Sequence, residues 1–276
     1  MRNRLELGSS LVATLLACVL ALLAGPSAEA AAACGSSALA HRGAWTARID
    51  ENTLKAIDRA HRLKEATEND VFLTRDGRFV IIHSKYLRYT TNCRGRVARW
   101  RLAAIQARCH TTPNRMRIPS ASAAFRTLAG NARQRMNLEI KGPGWFDNDN
   151  AKLVALRNLA ARAGVLRQVF FSNDATYRTL RALRHSAPSA RTAFKPKRGR
   201  HLTIARASRL SVDAVMAKPR QWSSGQKVRR FKRADFQVWA SLSDRKRIWR
   251  QNWRRGIEAQ LTNRPGAYRK WCRRVG

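Results

Sequence analysis

Short apolar runs rich in β-branched residues alternate along this chain with longer segments whose apolar residues recur at helical spacing. The short runs fit strands at residues 38–41, 67–73, 79–83, 136–140, 169–171, 192–194, 214–217, 236–239 and 259–262. Helical patterns lie between them at residues 53–63, 121–129, 151–163, 175–183 and 245–254. Strands alternating with helices of this length predict parallel β/α units, and about eight units in one chain predict a closed (β/α)8 TIM barrel, an α/β fold. Nine candidates for eight places leave one strand outside. Segment 79–83 is the outsider, because Asp76-Gly77 is a strong hairpin signal between two apolar runs. A hairpin makes it antiparallel to 67–73, which a parallel barrel does not include. With Asp76 and Gly77 as the two loop residues, Arg75 pairs with Arg78, and counting outward sets His83 opposite Asp70.

The first thirty residues read differently. Arg2 and Arg4 precede an apolar run at 11–24, Gly25-Pro26 breaks it, and Ala28-Glu29-Ala30 offers a small-residue cleavage site. The pattern predicts a secretory signal peptide over 1–30 and a single secreted domain over 31–276. The run is too short to span a bilayer comfortably, and no later segment is long enough to cross one. Cys18 leaves with the signal; Cys34, Cys93, Cys109 and Cys272 remain. An even count in an exported chain suggests two disulfides. Of three pairings, Cys93–Cys109 closes a short loop and Cys34–Cys272 ties together the ends of a closed barrel. The spacings lack the close pairs that zinc sites use.

Charge changes the picture of partners. The chain carries 55 basic and 17 acidic residues, a net charge of +38, and only 12 of the basic residues are lysine. Such a surface attracts polyanions, among them wall polymers, anionic lipid headgroups and nucleic acid, by a salt-sensitive and non-specific force. No nucleic-acid motif accompanies the charge, so no specific nucleic-acid function is expected. The segment Lys195-Pro196-Lys197-Arg198-Gly199-Arg200 reads as a solvated basic loop.

Several residues carry chemistry. Glu68 and Asp70 are two apart on a strand and share a face. Carboxylates rarely face a barrel interior unless something positive sits between them, and a divalent cation is the simplest partner. Glu139 and Lys141 repeat the pattern at another strand end, where charged residues of barrels usually belong to the active site. Internal salt bridges with arginine are the alternative. His41 ends the first strand, and with His83 it can move protons near neutral pH. Arg42 can grip a phosphate. Glu51 can orient Arg42 or join a metal site, and Asn52 can cap the helix that starts near Thr53. Trp239 ends a late strand, where it either packs in the core or closes the substrate pocket. Thr262-Asn263-Arg264-Pro265 shapes the barrel mouth.

Taken in order, His41-Arg42-Gly43, Glu51-Asn52-Thr53, Glu68-x-Asp70-Val71, Thr74-x-Asp76-Gly77, His83 and Glu139-Ile140-Lys141 resemble the glycerophosphodiester phosphodiesterase family. Val238-Trp239 and residues 256–265 resemble its C-terminal motifs, so the resemblance spans nearly all of 31–276. It implies a TIM barrel, one bound Ca²⁺ or Mg²⁺ held by Glu68, Asp70 and Glu139, and general acid–base catalysis by His41 and His83. It implies phosphate contacts from Arg42 and Lys141, and release of glycerol 3-phosphate and an alcohol from glycerophosphodiesters. Glycerol-phosphate wall polymers and phospholipid headgroups are further expected partners, and a monomer is expected. The chain departs from the family pattern at Ser84, where an aspartate is usual, and at Asp50, where a proline is usual. It also departs at Ala240-Ser241-Leu242 and at Asn263, where Thr-Val-Asn and an aspartate are usual. These departures bear on substrate choice. Two other readings compete: a sphingomyelinase D-like phospholipase that stops at a cyclic phosphate, and a cationic polyanion-binding protein on the same fold. Loss of a catalytic histidine or metal carboxylate would mark the latter, and neither is lost.

Overall fold

Parallel pairing runs unbroken through eight strands and returns to its start. In the computed structural model the described residues are 35–142, 150–173 and 177–275. The strands are β1 (Ser37–His41), β2 (Ala66–Leu73), β3 (Phe79–Ile81), β4 (Met136–Ile140), β5 (Val169–Asn173), β6 (Arg191–Phe194), β7 (Ala214–Ala217), β8 (Gln237–Ala240) and β9 (Ala259–Thr262). They pair in the order β1-β9-β8-β7-β6-β5-β4-β2, and β1 pairs with β2 to close the barrel. Only β3 stands outside, antiparallel to β2, as the hairpin signal predicts.

The register of that hairpin differs from expectation by one residue. Val71 faces Ile81 and Leu73 faces Phe79, so the closing pair is Thr74 and Arg78, and the loop holds Arg75, Asp76 and Gly77. The Thr74 hydroxyl explains the extra residue. It donates to Asp76 Oδ1 at 2.6 Å and accepts from the Arg78 amide at 3.1 Å, while Gly77 takes φ of +66°. A side chain that competes for turn hydrogen bonds converts a two-residue loop into a three-residue one. The Ile82 amide therefore donates to the Asp70 carbonyl, and His83 lies one residue beyond, where β3 has ended.

Helices cover the outside of the barrel: α1 (Leu54–Arg62), α2 (Leu102–Arg108), α3 (Ala121–Ala129), α4 (Ala151–Arg162), α5 (Tyr177–Ser186), α6 (Ile204–Arg209), α7 (Gly225–Arg233), α8 (Lys246–Arg254) and α9 (Pro265–Val275). The sequence pattern missed α2, α6, α7 and α9. In α7 only Val228 and Phe231 are buried, among five basic residues, so the apolar stripe is too thin to read. Its cap was legible, since Ser224 accepts from the Lys227 amide. Strand alternation divides the core. Met136, Leu138 and Ile140 face the helices, with Val71, Phe125 and Leu156, and the intervening Asn137 and Glu139 lie on the opposite face.

Cys93 and Cys109 are bonded, with an S–S distance of 2.06 Å, and pin the long excursion between β3 and α3. The leader at 1–30 and the Cys34–Cys272 bridge lie outside the described residues, as does the beginning of the helix expected at 175–183.

Gly43 links the fold to the histidine and arginine that precede it. It has φ of +82°, and a Cβ there would lie 2.8 Å from Ala56 Cβ and 2.9 Å from the Ala56 carbonyl carbon on α1. Gly43→Ala should therefore cost about 2–4 kcal/mol, from backbone strain plus displacement of α1. Gly164 has φ of +72° with nothing within 4 Å, so Gly164→Ala should cost only about 1 kcal/mol. Urea unfolding midpoints of the two variants check the difference; equal losses would show that contact with α1 contributes nothing.

Candidate active site

The acidic trio follows from strand register. Glu68 and Asp70 share one face of β2, and Asp70 pairs directly with Glu139 on β4. Three carboxylates thus converge at the C-terminal mouth of the barrel, one oxygen from each lying within 4.8 Å of the others. All three are buried, at 1%, 1% and 3% exposure. Such packing demands positive charge, and two lysines supply part of it. Lys141 Nζ lies 2.5 Å from Glu139 Oε1 and 3.4 Å from Asp70 Oδ1. Lys195 Nζ lies 2.6 Å from Glu139 Oε2. Burial would pull the Lys141 pKa down, but Asp70 and Glu139 outweigh it and hold it raised.

Glu68 is the member left over. Among the described residues no lysine or arginine side-chain nitrogen lies within 4 Å of its carboxylate. Its partners are the Arg42 backbone amide, which donates to Oε2 at 3.1 Å, and His41 Nε2 at 4.0 Å. Burial, reinforced by Asp70 and Glu139, pushes its pKa well above the usual carboxylate range. A buried carboxylate with two carboxylate neighbours and no cationic side chain matches a hard divalent ion, and all three groups offer the oxygen donors such an ion requires.

Arg42 is set by the turn that ends β1. It adopts φ of +58°, followed by Gly43 in the same region. Its Nη1 donates to Glu51 Oε2 at 2.7 Å, and its Nε lies 3.9 Å from Asp70 Oδ2. Glu51 therefore orients Arg42, the first of its two expected roles. Asn52 departs from expectation. Thr53 caps α1, and Asn52, at φ of +55°, braces the acidic strand. Its Nδ2 donates to Asp70 Oδ2 at 3.0 Å, while its Oδ1 accepts from the Asp70 backbone amide and from Asn69 Nδ2, each at 3.1 Å.

His41 is held from behind. Asp244 accepts from the Thr262 hydroxyl, from the Asn263 backbone amide and from Asn263 Nδ2, each at 2.8 Å. With its nitrogen committed to Asp244, Asn263 presents Oδ1 to His41 Nδ1 at 2.7 Å. An acceptor at that position places the ring proton on Nδ1 and leaves the Nε2 lone pair free on the Glu68 side. Burial lowers the His41 pKa, against the pull of the Asn263 hydrogen bond. His83 lies in the same cavity, half-buried. Burial also lowers its pKa, assisted by Arg42 and Lys141 and opposed by Asp70 and Glu51.

The acidic trio, both histidines, Arg42 and the two lysines line one cavity of about 860 Å³. It meets a second, of about 710 Å³, at Arg42 and His83; the second is walled by the β1–α1 connection and the disulfide-pinned excursion, with Trp45 and Tyr89 at its edge. Trp239 is not part of either. It packs at 4.8 Å against Phe170 in the barrel interior, among Met216 and Leu261, which form the floor of the first cavity. The strand-end position of Trp239 suggested the rim, but β8 continues to Ala240 and puts the indole a layer lower. Lys195 corrects the reading of 195–200 as solvated, being largely buried against Glu139. Applying to Phe194-Lys195 the strand-end rule that singled out Lys141 would have found it.

The comparisons with known proteins agree with this geometry. No curated protein sequence matches the chain. Among solved structures, a glycerophosphodiester phosphodiesterase from Parabacteroides distasonis superposes with a TM-score of 0.76 at 14% identity, covering 86% of this chain and 97% of that one. One from Agrobacterium tumefaciens gives 0.71 at 20% identity, covering 85% and 99%. An Oleispira antarctica phosphodiesterase, solved in complex with the product sn-glycerol-3-phosphate, gives 0.69 at 21% identity, covering 85% and 96%. At these identities the likeness carries the fold alone. The family model for glycerophosphoryl diester phosphodiesterases matches residues 41–267, from the first site histidine into α9. With that match over most of its length, the chain belongs to the glycerophosphoryl diester phosphodiesterase family.

Proposed function

We propose that this enzyme hydrolyses glycerophosphodiesters to glycerol 3-phosphate and an alcohol, with one divalent cation, Ca²⁺ or Mg²⁺, held by Glu68, Asp70 and Glu139. The observation that carries the reading is the buried Glu68 carboxylate, which has no cationic side chain of its own and sits beside two further carboxylates. When bound, the cation would offset phosphate charge and acidify a hydroxyl beside it. Arg42 and Lys141 grip the phosphate, each already oriented by a carboxylate. His41 takes the proton of the attacking hydroxyl at Nε2, because Asn263 holds its other nitrogen protonated. His83, in the same cavity, returns a proton to the leaving oxygen.

The leader pattern, two arginines before an apolar run and a small-residue cleavage site, and the Cys93–Cys109 bridge support export of the protein. The placement of Cys272 on α9, its Sγ 3.4 Å from the Ser36 carbonyl, supports Cys34 as its partner. Outside a cell, the net charge of +38 favours anionic glycerol-phosphate polymers and lipid-derived diesters as substrates.

Assaying glycerol 3-phosphate release from a panel of glycerophosphodiesters tests the activity. Release should stop in excess EDTA and return with added Ca²⁺ or Mg²⁺. His41→Ala and His83→Ala should each lower turnover by roughly 10²–10⁴-fold with the fold intact. Full turnover in EDTA would refute the cation, and a cyclic ester as the final product would replace hydrolysis by the phospholipase reading.

Cation binding should also be linked to protons. The raised Glu68 pKa keeps that carboxyl protonated further into the neutral range than an ordinary glutamate. An ion needs the ionised form, so binding should expel a proton and affinity should rise with pH. Calorimetric titration with Ca²⁺ or Mg²⁺ in two buffers of different ionisation enthalpy reads this directly. Affinity independent of pH between about 5 and 8 would show that Glu68 is already ionised, against its burial.

A further inference from the structure

Three strand ends on one side of the barrel carry lysines. Lys141 follows β4, Lys195 follows β6 and Lys218 follows β7. The first two are held by Glu139 and Asp70. Lys218 is different, and so are its neighbours Lys197 and Arg220. Among the described residues none of these three meets a carboxylate oxygen within 4 Å, yet all three line the catalytic cavity. Arg220 and Lys197 also line an adjoining hollow of about 550 Å³, whose charged lining is Lys197, Arg198, Arg220 and Lys227, with no acidic side chain.

These cations stand on an anchored base. Gln221, 8% exposed, accepts from the Lys218 amide at 2.7 Å and donates to the Pro196 carbonyl at 3.5 Å, so it stitches the loop after β7 to the loop after β6. The next residue, Trp222, is fully buried and donates its indole N–H to the Trp239 carbonyl at 2.9 Å. Exposed arginines on a net +38 surface are common in this chain, but here the loops that carry them are anchored around a concavity that shares Lys197 and Arg220 with the catalytic one.

Charge balance shows what the outer cations lack. Among the described residues of the inner site, Glu51 offsets Arg42, and three carboxylates face Lys141, Lys195 and the proposed divalent ion, which leaves one positive charge. A phosphodiester carries one negative charge and matches it. The outer group has no counterpart in a substrate with a single phosphate. We infer that the hollow formed by Lys197, Arg198, Arg220 and Lys227 is a second phosphate subsite, which takes the neighbouring phosphate of an oligomeric glycerol phosphate while the scissile one sits at the inner site. The inference rests on the inner-site reading given above. Guanidinium and ammonium groups recognise phosphate by charge-assisted hydrogen bonds, and the neutral donors Ser223 and Gln221 lie in the same wall.

The test compares glycerophosphoglycerol, with one phosphate, and glycerophosphoglycerol phosphate, with two. The cation-loaded enzyme is used at about 0.15 M salt, where the Debye length is about 8 Å and long-range attraction is screened. The enzyme should prefer the second substrate by roughly tenfold or more in kcat/KM. The double variant Arg198→Gln, Lys227→Gln, at two residues that line the hollow and not the catalytic cavity, should reduce that preference to near parity and leave kinetics on the first substrate within about twofold. The equal charge change at Arg94→Gln, Arg99→Gln, exposed residues on the disulfide-pinned excursion, should leave the preference intact. A preference that survives in the first variant, or falls equally in both, would overturn the subsite. Turnover of neither substrate would instead sink the inner-site reading. Calorimetric binding of glycerophosphoglycerol phosphate then tests the subsite by itself, and equal affinity for wild type and the Arg198/Lys227 variant would overturn it.

Discussion

Three carboxylates packed into the mouth of a barrel repel one another, and much of the surrounding structure answers that repulsion. Glu139 takes two lysines from different strand ends, Asp70 takes Lys141, the Asn52 amide and the edge of Arg42, and Glu68 takes a backbone amide. None of these contacts makes sense as stabilisation alone, since burying a trio of acids costs far more than apolar side chains of the same volume would. The arrangement is explained when the trio is a binding site whose last positive charge comes from an ion. The strained backbone follows the same logic. Arg42, Asn52 and Gly43 all sit at positive φ within a dozen residues, each where a side chain or a turn must reach the acidic strand.

The barrel supplies positions, and the loops supply character. Register alone brings Asp70 beside Glu139 and Glu68 beside His41. The proton chemistry depends on a second layer, in which Asp244 fixes Asn263 and Asn263 fixes His41. An asparagine at 263 donates no charge to the imidazole. Its hydrogen bond holds His41 in one tautomer and raises the imidazole pKa, but burial outweighs that pull and keeps the pKa lowered. The floor beneath is apolar, Met216 and Leu261 resting on Trp239 and Phe170, which keeps water from reaching the carboxylates from below.

Much of this was legible from residue types and spacing. The β/α alternation gave the barrel, the Asp76-Gly77 turn gave the one external strand, and period-two spacing gave the shared face of Glu68 and Asp70. What escaped did so for physical reasons. Thr74 competed for turn hydrogen bonds and shifted the hairpin by one residue. Three of the four missed helices bury only one or two residues, Ile105 in α2, Ala207 in α6 and Val228 with Phe231 in α7, too few to show as an apolar stripe. Lys195 was masked by the basic run it begins, and Asn52 by its position before a helix, where capping is the commoner role. For Trp239 the strand-end position left core and rim both open, and one further residue of strand lowers the side chain into the core.

The central claim is that the buried trio holds a divalent cation, with Glu68 supplying the carboxylate that no side chain neutralises. Crystals grown near pH 7.5 with Mn²⁺ and measured at the manganese edge test it most directly. The expected result is one anomalous peak bounded by Glu68, Asp70 and Glu139, lost in crystals of Glu68→Gln that keep the same fold. A map without a peak there, with Lys141 and Lys195 still closed on Glu139, would contradict it and leave the trio as a set of internal salt bridges.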